Sequence, residues 1–422
     1  MKQPKELGLP KKFQQWRNGQ GEIVEAIATS TKPFYLLDAP TGAGKSVIGI
    51  GSFQRMELSR TAKEVIARMM DRMPSDFDKR CIYLTRNKQL QTQIVDEFPA
   101  VQMIKGRNNY KCLLHSGIKW VSADDCTHTE DTPCKYNSGC PYRLAKTAAA
   151  QAPIAALNTS YFLTEANYVG FFSEIDYLVI DEIDTLESEL MNFIQFKVNE
   201  RQLLRLGLKP PKKPISIDTW LVWANNLNFD TLKGPLQARL RIADPDHWTD
   251  IEMNTNRQLK RVESFKRQVE LFISEVNEDW IAREQGEPGD KTWLFKPALI
   301  RNYVEKYVWR HTKKVLGMSG SILDPGIMAR DIDIGDFDYN RMSSHFPVEH
   351  RPIYYRPVVN LTSKTMAHQL PRLADAVAAL MQEHPDDNTL VHSTSYEIRD
   401  YLMGALPAGR IMTHNPDNRE QV

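Results

Sequence analysis

The sequence predicts an α/β protein built on a parallel β-sheet, and three observations support this prediction. Short apolar runs alternate with stretches of helical periodicity in the first third of the 422-residue chain, as in a sheet wrapped by helices. Apolar residues make up 41% and charged residues 25%, a composition that excludes a disordered or fibrous chain. The length allows about three domains at ~150 residues each.

Three strands are predicted in this first part, over residues 34–39, 81–85 and 177–181. Each is a short apolar run followed by polar or turn-forming residues. The carboxyl ends of parallel strands meet at one edge of a sheet. Asp181, the last residue of the third run, should therefore lie beside the loop that follows the first.

Two stretches interrupt this alternation. Residues 105–143 are rich in Cys, Asn, Lys and His and lack apolar periodicity, which predicts an insertion ordered by something other than an apolar core. Farther on, helical spacing of apolar residues predicts one amphipathic helix of about 28 residues, ~42 Å long. The residues that define it are Leu259, Val262, Phe265, Val269, Phe272, Val276 and Ile281.

The last part of the chain returns to α/β character. Residues 315–323 combine a strand with a turn. Residues 350–361, a helix near 370–382 and residues 389–396 predict the start of another α/β unit, unfinished at Val422.

Charge and targeting signals limit the classes of function. Lys and Arg total 54 and Asp and Glu 53, so the net charge of +1 excludes a bulk polycation, and any nucleic acid must bind through local grooves. The polar N-terminus lacks the apolar core of a signal peptide, and polar residues interrupt the longest uncharged run, so no membrane segment is predicted. Five cysteines without an export signal predict a reducing cytoplasm, and we expect a bacterial or phage setting.

Residues 39–46, Ala-Pro-Thr-Gly-Ala-Gly-Lys-Ser, match a phosphate-binding loop, with Ala at the position where Gly is commoner. Small residues let successive backbone N–H groups turn toward phosphate oxygens. Lys45 is expected to reach the β- and γ-phosphates of ATP, and the Ser46 hydroxyl to bind Mg²⁺. The residues predicted to contact ATP in this loop are Thr41, Gly42, Ala43, Gly44, Lys45 and Ser46.

An acidic pair follows the third predicted strand. Asp181 is expected to hold hydrated Mg²⁺, and Glu182 is suited to orient and deprotonate the attacking water. Carboxylates at the start of a helix are also favoured by the helix dipole, but beside a phosphate loop the pair predicts an NTP hydrolase.

Four of the five cysteines, Cys112, Cys126, Cys134 and Cys140, are separated by 13, 7 and 5 residues. Four thiolates can hold zinc or an iron–sulfur cluster, and the absence of a C-x₂₋₄-C knuckle favours iron–sulfur. His115 and His128 remain alternative ligands, and unliganded thiols remain a third possibility. Cys81 lies on a predicted strand and is expected to be a packing residue.

Together these motifs resemble the XPD/DinG family of iron–sulfur superfamily 2 DNA helicases, along the whole chain. The cysteines precede the Asp-Glu pair, and a helical segment separates that pair from Ser319-Gly320-Ser321, in the family's order. The segments that carry the resemblance are Arg17–Gln20, Asp38–Ser46, Tyr83–Lys88, Gly139–Arg143, Leu157–Tyr161, Gly317–Ser321 and Leu390–Tyr396.

The resemblance implies two RecA-like motor domains, the second incomplete, with an iron–sulfur insertion and a helical arch insertion in the first. The implied divisions are 1–104, 147–187 and 291–325 for the first motor domain, 105–146 for the iron–sulfur insertion, 188–290 for the arch and 326–422 for the second motor domain. It also implies that Gln20 contacts adenine and that the four cysteines hold a 4Fe–4S cluster. The implied activity is ATP-driven 5′→3′ movement of a monomer on single-stranded DNA or DNA junctions, in DNA repair or replication. Coupling of hydrolysis to movement would involve Asp184, Ser319, Gly320 and Ser321.

Two departures from the family leave alternatives open. The first is that Asp184 replaces the family's coupling His. The second is that the sequence ends before motifs V and VI, and the arginines of motif VI are worth ~10³–10⁵ in rate. We therefore expect a fragment or a curtailed relative. The alternatives are a nucleotide-switched DNA-binding module without efficient turnover and a zinc-containing RNA helicase. Basic and aromatic residues around the first cysteine suit a DNA-gripping patch and an ordinary solvated face equally: Lys105, Arg107, Tyr110, Lys111, Lys119 and Trp120.

Overall fold

The computed structural model describes residues 1–56, 79–86, 88–118, 120–128, 134–212 and 216–413. The chain divides into two compact units, Met1–His345 and Phe346–Val422. No helix in the described ranges combines the length and the apolar character needed to cross a bilayer.

Strands and helices alternate along the first unit. The strands of the described residues are β1 (Phe34–Asp38), β2 (Cys81–Thr85), β3 (Gln102–Met103), β4 (Ile154–Asn158), β5 (Tyr177–Asp181), β6 (Phe196–Asn199), β7 (Trp280–Gln285), β8 (Thr292–Pro297), β9 (Val315–Ser319) and β10 (Phe337–Arg341). The first helices are α1 (Gln20–Thr29), α2 (Lys45–Arg55), α3 (Lys88–Glu97), α4 (Pro141–Gln151), α5 (Thr159–Thr164), α6 (Leu186–Ile194) and α7 (Glu200–Arg205). They are followed by α8 (Ile217–Asn225), α9 (Phe229–Arg241), α10 (Asp250–Glu275), α11 (Arg301–Tyr307) and α12 (Pro325–Asp331), and the second unit contains α13 (Met366–Glu383) and α14 (Tyr396–Ala405).

Seven strands form one parallel sheet in the order β10-β1-β9-β5-β2-β4-β3, which confirms the predicted α/β class with a parallel sheet. The register aligns Asp38 of β1 with Ser319 of β9, and Asp181 of β5 with Met318 of β9. Since all strands run the same way, the carboxyl ends of these three neighbours form one continuous edge.

The sheet is buried on both faces. Ile82, Leu84 and Ile180 belong to one apolar core, while Cys81 and Tyr83 belong to the other, because side chains alternate along a strand. Cys81 is completely buried among packing residues, as expected. This two-sided burial explains why the predicted strands are continuous apolar runs.

A smaller antiparallel sheet, β6-β8-β7, lies in the stretch predicted to be a helical insertion. The long helix α10 packs on it, with Phe265 and Phe272 against Phe196. The boundary drawn at residue 290 therefore divides the β7–β8 hairpin. The helix also ends earlier than its predicted span, because Val276 has extended backbone (φ −63°, ψ 133°) and the chain enters β7 at Trp280.

The first unit extends farther than the boundary drawn at residue 325. β10 pairs in parallel with β1 over Phe337–Arg341, so the sheet is completed beyond that point and the unit ends at His345. A strand belongs to the domain whose sheet it joins. No local pattern in the sequence identifies the strand with which it pairs.

The second unit has helices but no strand in its described residues. Its small core joins α13 to α14 through Leu370, Ala374, Val377, Ile398, Leu402 and Leu406. Residues 351–361 and 389–394, predicted as strand-like, have no regular structure. A strand needs a neighbour for its backbone hydrogen bonds, and none pairs with these segments within the described part of the unit.

Candidate nucleotide site

The phosphate-binding loop connects β1 to α2, as the sequence predicts. Gly44 is the N-cap of α2 and has φ 80°, a left-handed conformation that a side chain disfavours. A Cβ on Gly44 would also lie 2.4 Å from Nε2 of Gln20. Lys45 and Ser46 open the helix, so their backbone N–H groups lie at its positive end, where anions are favoured.

Gln20 is buried behind this loop. Its Nε2 donates to the Ala43 carbonyl at 2.7 Å, and its Oε1 accepts from the Arg17 backbone N–H at 2.9 Å. In this structure both ends of the amide thus hold the phosphate loop to the start of α1. The adenine contact that the resemblance implies for Gln20 stays a prediction.

Lys45 and Glu182 form an ion pair at 2.8 Å across the site. Glu182 adopts a left-handed backbone (φ 58°, ψ 56°), which costs a non-glycine residue about 1 kcal/mol or more and is typical of functional sites. Its Oε2 also accepts a hydrogen bond from the Ser319 hydroxyl at 3.3 Å. The residues predicted to bind phosphate and to activate water therefore meet directly.

Asp181 lies at the bottom of the site and is only 9% exposed. Burial raises its pKa to about 6 against the opposing effect of Lys45, with a further contribution from Glu182. Its Oδ1 is buried without a hydrogen-bond partner in the part of the chain that the structure describes. A buried carboxylate oxygen with a free lone pair fits the oxygen ligands that Mg²⁺ prefers.

The end of β9 brings the Ser-Gly-Ser segment to the same place. The Ser319 carbonyl accepts from the Ala39 N–H at 2.8 Å, which joins this strand to the start of the phosphate loop. The Ser321 N–H donates to the Ser319 hydroxyl at 3.1 Å, and Ser321 Oγ donates to Asp184 at 3.4 Å. A chain of hydrogen-bonding groups thus runs from Glu182 to Asp184.

Gly320 borders the phosphate loop, where its added Cβ would lie 3.4 Å from the Ala39 carbonyl. Thr41 and Gly42 are exposed on the loop, and Ala43 is buried beneath it. All the predicted loop, acidic and Ser-Gly-Ser residues therefore lie at one sheet edge.

Tyr83 was missed by the sequence analysis. It is fully buried on β2, and burial together with the neighbouring Asp181 carboxylate raises the pKa of its hydroxyl well above the usual value. Its position one strand from β5, in the middle of an otherwise aliphatic run, is the only signal that marks it in the sequence. Its hydroxyl, like Asp181 Oδ1, is buried without a hydrogen-bond partner among the described residues.

Candidate cysteine site

All four clustered cysteines line one cavity of about 630 Å³. None of the five cysteines forms a disulfide, and His115 and His128 also border the cavity. Within the described residues, however, no three His, Cys, Asp or Glu side chains approach closely enough to share a metal ion. The structure thus gathers the thiols around one space without bringing them to ligand distance.

Backbone amides surround two of these sulfurs. The Tyr136 N–H donates to Cys134 Sγ at 3.4 Å. Burial raises the pKa of Cys112, while the backbone N–H groups of His115 and Leu114 act in the opposite direction by donating to its sulfur. Such N–H···S contacts favour a thiolate and are found around metal-bound cysteines. Thiols of this number have the donor chemistry of zinc and iron–sulfur centres, although the described residues do not bring three of them together.

The basic and aromatic residues around Cys112 are mostly engaged within the chain. Arg107 donates to the Ala123 carbonyl and stacks on Tyr142, against which Tyr110 also packs. Lys105 donates to Thr92, and Trp120 lies beneath Arg257. Lys111 is exposed, and Lys119 lies outside the described residues. These contacts indicate that much of the predicted patch holds the segment together.

Comparison with known proteins

The large parallel sheet, with three loops at its carboxyl edge, is an α/β architecture. No protein-family model matches the chain, and no curated protein sequence matches it. Among solved structures it is similar to an XPD helicase, at 17% identity and a TM-score of 0.45 over 92% of this chain and 73% of that one. It is also similar to an XPD apo structure, at 16% identity and a TM-score of 0.43 over 92% of this chain and 72% of that one. For the Pyrococcus furiosus Hef helicase domain the identity is 13% and the TM-score 0.30, over 90% of this chain and 52% of that one.

Proposed function

We propose that this chain is an ATP-dependent DNA helicase or translocase, moving 5′→3′ on single-stranded DNA. The observation that supports it is the meeting of Lys45, Glu182 and Ser319 at one sheet edge, with Asp181 beneath them. In this proposal one site combines Lys45 as the phosphate contact, Asp181 as a metal ligand, Glu182 as the base and Ser319 as its hydrogen-bond partner.

Lys45 and Glu182 have two states in the proposed reaction. In one they neutralise each other, as in the ion pair at 2.8 Å. Phosphate oxygens at the start of α2 would replace Glu182 as the partner of Lys45, since a polyphosphate offers more negative charge than one carboxylate. Glu182 would then be free to accept a proton from the attacking water. Bound Mg²⁺, held by Ser46 and Asp181, would supply neutralisation of phosphate charge.

The relay from Glu182 to Asp184 supports coupling to movement. Ser319 and Ser321 connect the two carboxylates through hydroxyl groups that can exchange partners. When Glu182 turns toward the nucleotide, the Ser319 hydroxyl would lose its acceptor and could donate instead to Ser321 Oγ, which lies 3.2 Å away and contacts Asp184. Asp184 would serve here as an acceptor in place of the family's His.

The second part of the proposal is a 4Fe–4S cluster held by Cys112, Cys126, Cys134 and Cys140. Its support is the shared cavity and the N–H groups directed at two of the sulfurs. Thiolate bonds to such a group would supply order to a segment that has little regular secondary structure of its own.

The enzymatic proposal is tested by measuring ATP turnover with and without single-stranded DNA, and strand separation on duplexes with a 5′ or a 3′ tail. We expect DNA-stimulated turnover and preference for the 5′ tail, with Lys45→Ala as the inactive control. ATP and DNA binding without single-turnover hydrolysis would instead indicate a nucleotide-switched binding module. Stimulation by RNA but not DNA would indicate an RNA helicase.

The metal proposal is tested on anaerobically purified protein from cells grown with iron. We expect a brown protein with broad absorption near ~400 nm and about four irons per chain. Cys112→Ser should lose the colour, whereas Cys81→Ser, on a sheet strand, should keep it. A colourless protein with one zinc per chain would contradict the iron–sulfur assignment and leave the nucleotide site unaffected.

A further inference from the structure

The segment that carries the first two cysteines is held by the long helix α10. We define the cysteine lobe as residues 107–118 and 120–128. Val121 of the lobe forms a small apolar cluster with Trp248 and Met253, and Cys112 packs against this cluster. Met253 lies on the first turn of α10, and Trp248 immediately precedes the helix.

Asp125 is the centre of the polar contacts between the lobe and α10. It is only 4% exposed, and its two carboxylate oxygens accept from Arg257 Nε at 2.5 Å and Nη2 at 3.0 Å. The Ser122 N–H also donates to it at 2.9 Å. Burial alone would raise the pKa of Asp125, but the hydrogen bonds from Arg257 and Ser122 outweigh it and lower that pKa. A buried, bidentate pair of this kind fixes geometry as well as charge.

Three neighbouring side chains of α10 donate to backbone carbonyls of the lobe. Asn256 Nδ2 donates to the Asp125 carbonyl at 2.8 Å, and Arg257 Nη2 to the Trp120 carbonyl at 2.9 Å. Lys260 Nζ donates to the carbonyls of Asp124 and Cys126, the latter at 3.1 Å. These donors satisfy backbone carbonyls of a turn that is not paired in a β-sheet. One of them, Lys260, contacts the backbone carbonyl of Cys126 directly.

The other side of the cavity belongs to a different element. Cys140 is the N-cap residue of α4, which packs against β3 and β4 of the large sheet. Farther along α10, Val262, Phe265 and Phe272 are buried in the core that the helix shares with the small sheet. Cys112 and Cys126 are therefore placed against the helix α10 and its start, and Cys140 is placed by the sheet-bound α4.

We propose that Arg257 is a positioning residue that, with Asn256 and Lys260, holds Cys126 at the four-cysteine cavity. Metal binding in the cavity and packing of the cysteine lobe on α10 then stabilise each other. This inference rests on the proposed metal site. Because coupling between two equilibria is reciprocal, loss of the α10 contacts weakens metal binding, and metal binding protects the contacts. Residues outside the ligand set that orient metal ligands typically change affinity by ~10–100-fold.

The test compares Arg257→Met with Arg261→Met. Arg261 is exposed one turn farther along the same helix, so it serves as a matched control for loss of a positive charge. Metal content, the rate of iron loss to a chelator, and amide hydrogen exchange over residues 107–128 and 250–263 are measured for the full chain. Arg257→Met should lose iron about tenfold faster or more, with faster exchange in both segments, and Arg261→Met should match the wild type. In the wild type, exchange in both segments should be slower with metal than after its removal.

Arg257→Met also leaves the buried Asp125 carboxylate without its cationic partner. A second variant separates this effect from loss of the Arg257 hydrogen bonds to the cysteine lobe. Arg257→Met combined with Asp125→Asn removes both charges and should still lose iron faster than the control. Wild-type retention and exchange in both Arg257 variants would overturn the inference while leaving the metal site in place. A wild-type chain that carries no metal under iron-replete, anaerobic conditions would overturn the metal site and the coupling with it.

Discussion

At the scale of single residues, the site is organised by an ion pair between the phosphate loop and the acidic motif. Lys45 and Glu182 lie 137 positions apart in sequence and 2.8 Å apart in space. The pair links the residue proposed to contact phosphate with the residue proposed to activate water. The two residues should therefore respond differently to substitution.

Lys45→Ala removes the cation proposed to contact the β- and γ-phosphates. We expect ATP turnover to fall by ~10²–10³, the usual effect of losing one group that stabilises transition-state charge. Stability should change by no more than about 1 kcal/mol, since a partly exposed ion pair contributes little. Steady-state hydrolysis and a thermal melt provide the measurements. Unchanged turnover would remove the loop from the active site.

Glu182→Gln keeps the shape of the side chain and removes the base. Turnover should fall by ~10²–10⁴, while ATP affinity should be maintained or improved, because Lys45 no longer pairs with a carboxylate. Equilibrium binding of a fluorescent ATP analogue separates the two effects. If affinity and turnover fell together, Glu182 would be a binding residue and not the base.

His311 makes part of the stability dependent on pH. Burial, with a contribution from Arg310, lowers its pKa to about 4, and its Nε2 lies 3.1 Å from Asn167 Oδ1. The unfolded chain takes up this proton first, near pH 6.5, so the stabilisation is full above that pH and is lost as pH falls toward 4.

The expected loss is up to about 3 kcal/mol, and His311→Gln should abolish that part of the pH dependence. Urea unfolding at pH 7.5 and pH 4.5 measures it. The exposed His368→Gln serves as the control and should follow the wild type. A variant of His311 with wild-type pH dependence would assign the acid sensitivity to other groups.

At the scale of elements, the small sheet and its helices share a core of aromatic side chains. Trp220 of α8 is fully buried and contacts Phe196 of β6 and Trp293 and Phe295 of β8. These partners come from both sides of the boundary that the sequence analysis placed at residue 290. The region is therefore one packed layer, and a deletion of residues 187–289 would leave the apolar face of β8 exposed.

Trp220→Ala should destabilise this layer by about 3–5 kcal/mol through the cavity that it leaves. Limited proteolysis should then cut within residues 196–297 before it cuts the large sheet. Trp223→Ala, on the same helix but half-buried, is the comparison and should have a smaller effect. Equal resistance of both variants would mean that the layer does not depend on Trp220.

At the scale of the whole molecule, every residue of the proposed nucleotide site belongs to the first compact unit. The family resemblance predicts that ATP binds between two motor domains. The described residues place the phosphate loop, the acidic pair and the Ser-Gly-Ser segment in the unit that ends at His345.

A chain of residues 1–345 should therefore fold and bind ATP within about threefold of the affinity of the full chain, because the second unit supplies none of these contacts. Circular dichroism and calorimetric titration of both chains provide the measurement. A loss of binding of tenfold or more, which corresponds to about 1.4 kcal/mol, would place a nucleotide contact in residues 346–422.

The sequence alone determined the features whose physical requirements are met by neighbouring residues. The turn of the phosphate loop needs Gly44 and the helix start at Lys45, and both are contiguous in the chain. Two-sided burial of β2 and β5 needs an unbroken apolar run, which is equally visible. The parallel sheet and the convergence of Asp181 with the loop follow from these local patterns.

Only the tertiary structure decided the features that depend on distant partners. Membership of β10 in the first unit follows from its ladder with β1, about 300 residues earlier, and the left-handed backbone of Glu182 is maintained by the contacts around it. Arg257 holds Asp125 from 132 positions away, on a helix whose apolar periodicity predicts a buried face but gives no partner for its polar residues. Periodicity specifies which side of an element is buried, whereas the partner is specified by the complementarity of surfaces that meet only after the chain has folded.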